Sequence, residues 1–157
     1  MNVNIKYLVD AQQHIPKLAQ WNYEEWNKYD PTLTVDRVAA SLKQRLNKDK
    51  IPLVLIALVN EDLAGVVSLK DHIRIPGYED RDLWLGNLIV AKNYRSHGVG
   101  RLLLKHAYDK ARELGFKKIS LFTTVPEAID WYIKNGLTQF AVDTYHGNPA
   151  WLFEYSI

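Results

Sequence analysis

The stretch that decides the fold is YRSHGVGRLLL, Tyr94–Leu104. It sets two glycines, an arginine and a histidine at the start of an apolar helical run. A glycine inside a helix costs up to about 1 kcal/mol relative to alanine. Gly98 and Gly100 therefore call for a turn or for something that comes very close to the backbone. Downstream, Val99, Leu102, Leu103, His106, Ala107, Lys110, Ala111 and Leu114 fall on one helical face, the mark of an amphipathic helix. Gly115 then stands where a helix commonly ends. DLWLGNLIV (82–90) before the glycines and KKISLFTT (117–124) after the helix read as strands. Strand, helix, strand at this spacing predicts a parallel crossover.

The same arrangement aims free backbone N–H groups at an anion. The first N–H groups of a helix lack internal partners, and the helix dipole adds partial positive charge there. Gly98 and Gly100 remove Cβ atoms, so a phosphate has room against the backbone. Arg95 and Arg101 are placed to pair with its oxygens. A glycine turn that only joins strand to helix has the same spacing, and both readings stand at this point. Other phosphate loops fit poorly. There is no G-x-x-x-x-G-K-[ST], and a G-x-G-x-x-G fingerprint is broken by Leu103.

Outward from this centre, VNIKYLV (3–9) reads as a first strand and residues 11–28 as a helix. Thr34 caps a second helix carrying Val35, Val38, Ala39, Leu42 and Leu46 on one face. PLVLIALV (52–59) and LAGVVSLKDHI (63–73) form a hairpin turned by Asn60–Glu61–Asp62. RIPGYEDRD (74–82) is a loop. Pro126 opens a helix ending near Gly136. LTQFAVDT (137–144) and AWLFEYSI (150–157) close the chain as paired strands around YHGNP. The order β-α-α-β-β-β-α-β-α-β-β predicts one α/β domain over residues 1–157, a mixed twisted sheet of about seven strands with about four helices.

Composition excludes several functions. With no cysteine among 157 residues, disulfides, thiolate catalysis and zinc–cysteine sites are out, which fits a reducing cytoplasm. No cluster has metal-ligand spacing. No run approaches the roughly 18 apolar residues of a membrane span, and MNVNIKYLVD is not a signal peptide. The net charge of +2 argues against bulk nucleic-acid binding. It is unevenly spread, however. Lys92–Lys118 holds eight Lys/Arg against Asp109 and Glu113, and the remainder is acidic.

Arg95-Ser96-His97-Gly98-Val99-Gly100 resembles the R/Q-x-x-G-x-G/A signature of the GNAT family of N-acetyltransferases. AIDWYIKNGL (128–137) is similar to that family's A-x-x-F-Y-x-x-x-G-F segment, with Ala128, Trp131, Tyr132 and Gly136 matching and Leu137 in place of the aromatic. The ending YHGNPAWLFEYSI resembles small bacterial-type members. The resemblance implies the GNAT fold, acetyl-CoA as co-substrate without a metal, and direct attack of a primary amine on the thioester in a ternary complex. Carried over by residue, Leu88, Ile89 and Val90 pair with the pantetheine arm, backbone N–H groups from Arg95 to Arg101 take the pyrophosphate, and His97 contributes its backbone. Tyr132 matches the tyrosine that protonates the departing thiolate, a role a phenol suits.

The chain also departs from the family pattern. Trp84 stands where relatives carry a glutamate base, leaving Asp82, Glu79 or a water held by Asn87 as alternatives, and Val125 replaces a common asparagine. The implied acceptor is a small cationic amine or a peptide N-terminus. Glu24, Tyr78, Asp82 and His146 are the candidate contacts, and His72 is another side chain placed to line the opening. Trp21, Trp26 and His106 have core spacing. A final strand with Trp151, Phe153 and Tyr155 is a candidate for pairing across a homodimer, and a monomer is the other expectation. The competing function is a non-catalytic acyl-CoA sensor on the same fold.

Overall fold

The computed structural model describes residues 1–157. Its elements are β1 (Val3–Tyr7), α1 (Ile15–Trp26), α2 (Val35–Lys43), β2 (Leu53–Val59), β3 (Asp62–Lys70), β4 (Trp84–Val90), α3 (Val99–Glu113), β5 (Lys118–Thr123), α4 (Ile129–Lys134), β6 (Thr138–Tyr145) and β7 (Asn148–Ser156). They form one seven-stranded sheet in the order β1-β2-β3-β4-β5-β7-β6. Every neighbouring pair is antiparallel except β4 with β5, the predicted parallel crossover.

The unbroken apolar run of β2 reflects burial on both faces. Leu53, Leu55, Ala57 and Val59 pack with Val99, Leu103, Leu104, Ala107 and Ala111 of α3. Val54, Ile56 and Leu58 pack under α1 and α2 with Leu18, Val38 and Leu42. Thr34 caps α2 by accepting a bond from the Arg37 N–H at 3.1 Å. On α3 the stripe turns slightly from its predicted face: Leu104 is buried and Leu102 is not fully so. His106 is half-buried, with Nδ1 3.2 Å from the Leu102 carbonyl.

Several boundaries are corrected. The first long helix starts at Ile15, after two short 3-10 turns, and ends at Trp26. α2 ends at Lys43, so Leu46 leaves the helix and bridges Leu53 instead. β3 ends at Lys70, short of Ile73. The last hairpin is tighter than YHGNP suggested. His146 (φ 50°) and Gly147 (φ 79°) make a two-residue turn, and Asn148–Pro149 belong to β7. Asn60 (φ 50°) and Glu61 (φ 68°) turn β2 into β3 in the same way, the left-handed pair that matches strand twist. β7 lies between β5 and β6, so its edges are already paired. Phe153 is fully buried, and Tyr155 stacks on Tyr108 at 4.2 Å between ring centres. The dimer seam expected of this strand is therefore taken up inside the fold.

One irregularity positions everything that follows. β4 and β5 share a single register pair, Trp84 with Ser120, tied by the Ser120 N–H to the Leu83 carbonyl at 3.1 Å. On its other side β4 carries an extra residue. Ser68 faces Gly86 and Val66 faces Ile89, with Asn87 at φ 56° in between. A bulge bends its strand, and β4 parts from β5 beyond Trp84.

Candidate active site

A cavity of about 620 Å³ lies at this parting, within the usual range of small-molecule sites. Leu85, Leu88, Leu121 and Tyr132 line it from the α3 side of the sheet. Asn22, Arg45, Gly86 and Asn87 line it from the α1–α2 side. The cavity thus runs through the sheet, between the two parallel strands.

At the far end of β4 the chain turns into α3 through Arg95–Gly98. The backbone N–H groups of Ser96, His97, Gly98, Val99, Gly100 and Arg101 donate to no group of the protein; the first helical bond runs from Leu102 to the Gly98 carbonyl at 3.0 Å. Six successive free donors at a helix start suit a pyrophosphate. Gly98 sits at φ 82° with open space around its missing Cβ, so its glycine serves both the turn and access to the backbone. Gly100 answers differently from the sequence expectation. A Cβ there would stand 3.1 Å from Trp131 Cζ2, so the absent side chain makes room for the α4 indole, while the Gly100 N–H stays free. Arg95 folds back and donates from Nε to the Val90 carbonyl at 3.0 Å. Arg101 Nε donates to Asn135 Oδ1 at 3.2 Å. Both guanidinium tips stay exposed beside the loop.

Tyr132 reaches the cavity from α4, its ring 5.8 Å from that of Phe153. Its hydroxyl has no partner in the protein, and burial pushes its pKa up to about 12. The phenol therefore keeps its proton at neutral pH. Trp131 beside it is the packing residue, edge-on to Tyr132 at 5.4 Å.

The α1–α2 side of the cavity is braced by a buried polar network. Asn22 Nδ2 donates to the Leu18 carbonyl at 2.9 Å, and Asn87 Nδ2 donates to Asn22 Oδ1 at 2.8 Å. Arg45 donates to Asn87 Oδ1 at 2.8 Å, to Ser41 Oγ at 2.6 Å and to Ser68 Oγ at 3.3 Å. Burial, then the charge of Arg74, lowers the Arg45 pKa to about 10. Lys70 lies across β4, where a Cβ on Gly86 would meet its Cε and Nζ at 2.9 Å. Burial, then Arg45 and Arg74, brings the Lys70 pKa down to about 7.

At the outer end, Asp30 accepts bonds from Thr32 Oγ1 at 2.6 Å and Tyr145 Oη at 3.0 Å, with His146 Nε2 at 3.2 Å. Burial works to raise the Asp30 pKa, but these bonds and the His146 charge outweigh it and hold it low. The contacts tie the α1–α2 loop to the β6–β7 turn.

The sequence candidates divide on this map. Leu88 and Tyr132 line the cavity, and Ile89 and Val90 continue β4 toward the glycine loop. Glu24 is exposed and bonded to Gln20, Asp82 is exposed, and Tyr78 donates to Asp143 at 2.9 Å; none of the three lines the cavity. His146 does not line it but touches its wall through Asp30 and Tyr145, while His72 lines it and pairs with Asp71 at 2.6 Å. Trp26 packs against the α1–α2 core, as its spacing suggested, and also lines the cavity. Trp84 is fully buried with an unpartnered Nε1, and it offers no base. Sequence reasoning missed Arg45, Lys70 and Arg74. Lys70 ends an otherwise apolar strand, which was the one available signal.

The site is thus a parallel pair split over a through-sheet cavity, with a row of free N–H donors at a helix start beyond one end. The chain belongs to the acetyltransferase (GNAT) family, whose match spans residues 15–137. A 66-residue segment is 35% identical to the amino-acid acetyltransferase of Yersinia enterocolitica serotype O:8 / biotype 1B, covering 42% of this chain and 14% of that protein. The chain thus spans about a seventh of that relative's length. The ribosomal-protein-alanine N-acetyltransferase of Brucella melitensis superposes with a TM-score of 0.76 at 18% identity over 98% of this chain and 99% of the other. An aminoglycoside 6′-N-acetyltransferase complexed with coenzyme A superposes with a TM-score of 0.69 at 15% identity over 99% and 97%. No group of three or more His, Cys, Asp or Glu side chains is placed to hold a metal, and no helix is long and apolar enough to cross a membrane.

Proposed function

We propose that residues 1–157 act as one catalytic unit that transfers the acetyl group of acetyl-CoA to the primary amine of a small molecule. The observation that carries this is the cavity threading the β4–β5 gap to the free hydroxyl of Tyr132. Acetyl-CoA supplies an activated thioester. The free N–H groups of Ser96–Arg101 hold its pyrophosphate, and the β4 edge from Leu88 to Val90 takes its extended arm. The acceptor enters from the α1–α2 side, and its nitrogen forms the new bond to the acetyl carbon as the carbon–sulfur bond breaks. The sulfur leaves with the electron pair, and Tyr132 delivers a proton to it. The amine's own proton leaves by water through the same cavity.

Direct transfer is supported by the lining, which offers no cysteine or serine elbow for a covalent acyl-enzyme. An open acceptor cavity also favours catalysis over a sensor that only binds acyl-CoA. A volume of about 620 Å³ suits a metabolite-sized amine or a short peptide N-terminus. The cysteine-free composition supports a cytoplasmic location.

The test is thermal stability with acetyl-CoA, coenzyme A and ATP, followed by thiol release with a panel of amines. A ligand that binds only the folded state raises the melting temperature. A shift with both CoA species but not ATP, followed by amine-dependent thiol release, is the expected result. No shift with either CoA species refutes the assignment.

A further inference from the structure

The acceptor wall is basic, opposite to what an acceptor with an extra cationic group would want. Four cations line the cavity: Arg37, Arg45, Lys70 and Arg74. The two carboxylates that line it are already engaged. Asp30 holds Thr32, Tyr145 and His146, and Asp71 pairs with His72. Arg45 and Lys70 are half-buried at the cavity wall and have no carboxylate partner. Arg45 bonds only to neutral groups, Ser41, Ser68 and Asn87, and these use three of the five N–H donors of a guanidinium. The Lys70 ammonium has no hydrogen bond or ion pair in the protein. Cations partly withdrawn from water without a counter-ion are costly, and an anionic ligand in the cavity would supply the missing charge.

The cofactor's phosphates are not that charge. Their donors lie at the α3 start, beyond Val90. Lys70 lies over Gly86, about 13 Å back along β4 at roughly 3.3 Å per residue. Arg45 is anchored on the α1–α2 side of the sheet. Between Lys70 and the outer end the cavity wall is hydrocarbon and aromatic, with Trp26, Tyr29, Leu33, Phe122 and Tyr145.

We infer that the acceptor is an amine that also carries an acidic oxyanion, a carboxylate or a phosphonate, held by Arg45, Lys70 and Arg74 while its apolar body packs on the aromatic wall. This rests on the acetyltransferase assignment and names its substrate class. Because Lys70 sits beside the point where β4 and β5 part, the anion lies close to the reacting nitrogen. That spacing suits an α-amino acid or its phosphonate analogue better than a long diamine.

The experiment measures acetyl-CoA-dependent thiol release by the full chain with the protein L-amino acids, their amides, the matching amines without carboxylate, and the 1-aminoalkylphosphonates. At least one acid should exceed its own amide by about tenfold or more in kcat/KM, because a site built for a polar partner rejects the analogue that lacks it. Arg74→Gln, at an exposed side chain, should cut that ratio to about threefold or less, mainly through KM. Arg45→Met should do the same where it folds. The acetyl-CoA melting shift should survive in both. The relative rates of carboxylates and phosphonates identify which oxyanion the site takes. Amides or plain amines used as well as acids, or an acid preference kept in both variants, would overturn the inference. So would a panel in which no acid is turned over. The acetyl-CoA shift, read in the same samples, reports separately on whether the transferase assignment stands.

Discussion

Lys70→Met should make the ligand-free protein more stable. The lysine ammonium has an ordinary pKa of 10.5, and burial together with Arg45 and Arg74 brings it to about 7 in the fold. Each unit corresponds to about 1.4 kcal/mol, so at pH 7 the folded state carries a burden of about 4 kcal/mol that the unfolded chain does not. The sign follows from proton counts. Between pH 7 and 10.5 the unfolded chain binds the proton and the folded chain has largely lost it, so stability rises with pH across that window. Below about pH 9 the window belongs to Lys70. Arg45, lowered to about 10, gives up its proton only toward the top of the window, and Trp84 across the ladder does not titrate.

Methionine keeps the hydrocarbon stem over Gly86 and removes the charge. The variant should therefore gain most at or below pH 7, and the gain should shrink toward pH 10.5. For a chain of this length 1 kcal/mol moves the melting temperature by about 2–4 °C, so a rise of at least about 5 °C at pH 7 is expected. Differential scanning calorimetry from pH 6 to 10 on both proteins reads it. An unchanged or lower melting temperature at pH 7, or a gain that does not vary with pH, would show that Lys70 carries no unpaired burden. It would also remove the main reason to seek an anion in the cavity.

Tyr132→Phe should lower kcat by about a hundredfold, the usual yield of general acid catalysis, and leave the acetyl-CoA melting shift intact. In the wild type, with the phenol pushed up to about 12, kcat should not fall from loss of this proton between about pH 8 and 10. Gly98→Ala, at φ 82° with no neighbour near its Cβ, should cost about 1 kcal/mol of stability and weaken acetyl-CoA measurably by calorimetric titration. Gly100→Val should instead destabilise the fold through Trp131, 3.1 Å from the first added carbon, by about 1–3 kcal/mol in urea unfolding. Arg81 donates to Glu154 at 2.7 Å and to Ser120 at 3.0 Å and lies 3.6 Å over the Phe140 ring. Arg81→Ala should lower stability by about 2 kcal/mol in the same assay, and also loosen the one point where β4 and β5 meet.

The fold was legible because its decisive signals are local. The two-sided apolar run of β2, the α3 stripe and the glycine turn each follow from near neighbours in the chain, and together they force the parallel crossover. The run of free donors before α3 was legible for the same reason, since Arg95–Arg101 is continuous in the chain. Even there, Gly100 owes its lack of a side chain to Trp131, thirty-one residues away, which no reading of the loop alone can reach.

The α1–α2 side of the cavity is joined to the sheet by distant pairs. Asn22 on α1 meets Asn87 on β4, Arg45 after α2 meets Ser68 on β3, and Asp30 meets Tyr145 at a separation of 115 residues. A sequence scan weighs Glu24 and Asp82 as acids in suggestive neighbourhoods, but solvent already satisfies them. It passes over Lys70 and Arg45 because basic residues near loop ends are ordinarily solvated. What sets these two apart is partial burial without the gain of a carboxylate, and that property exists only once β3, β4 and α2 are assembled. The charge of the cavity wall is thus a product of tertiary packing, whereas the row of free N–H donors is a product of local chain geometry. Within one fold the donor half can stay legible in the sequence while the acceptor half is rewritten by a few long-range contacts.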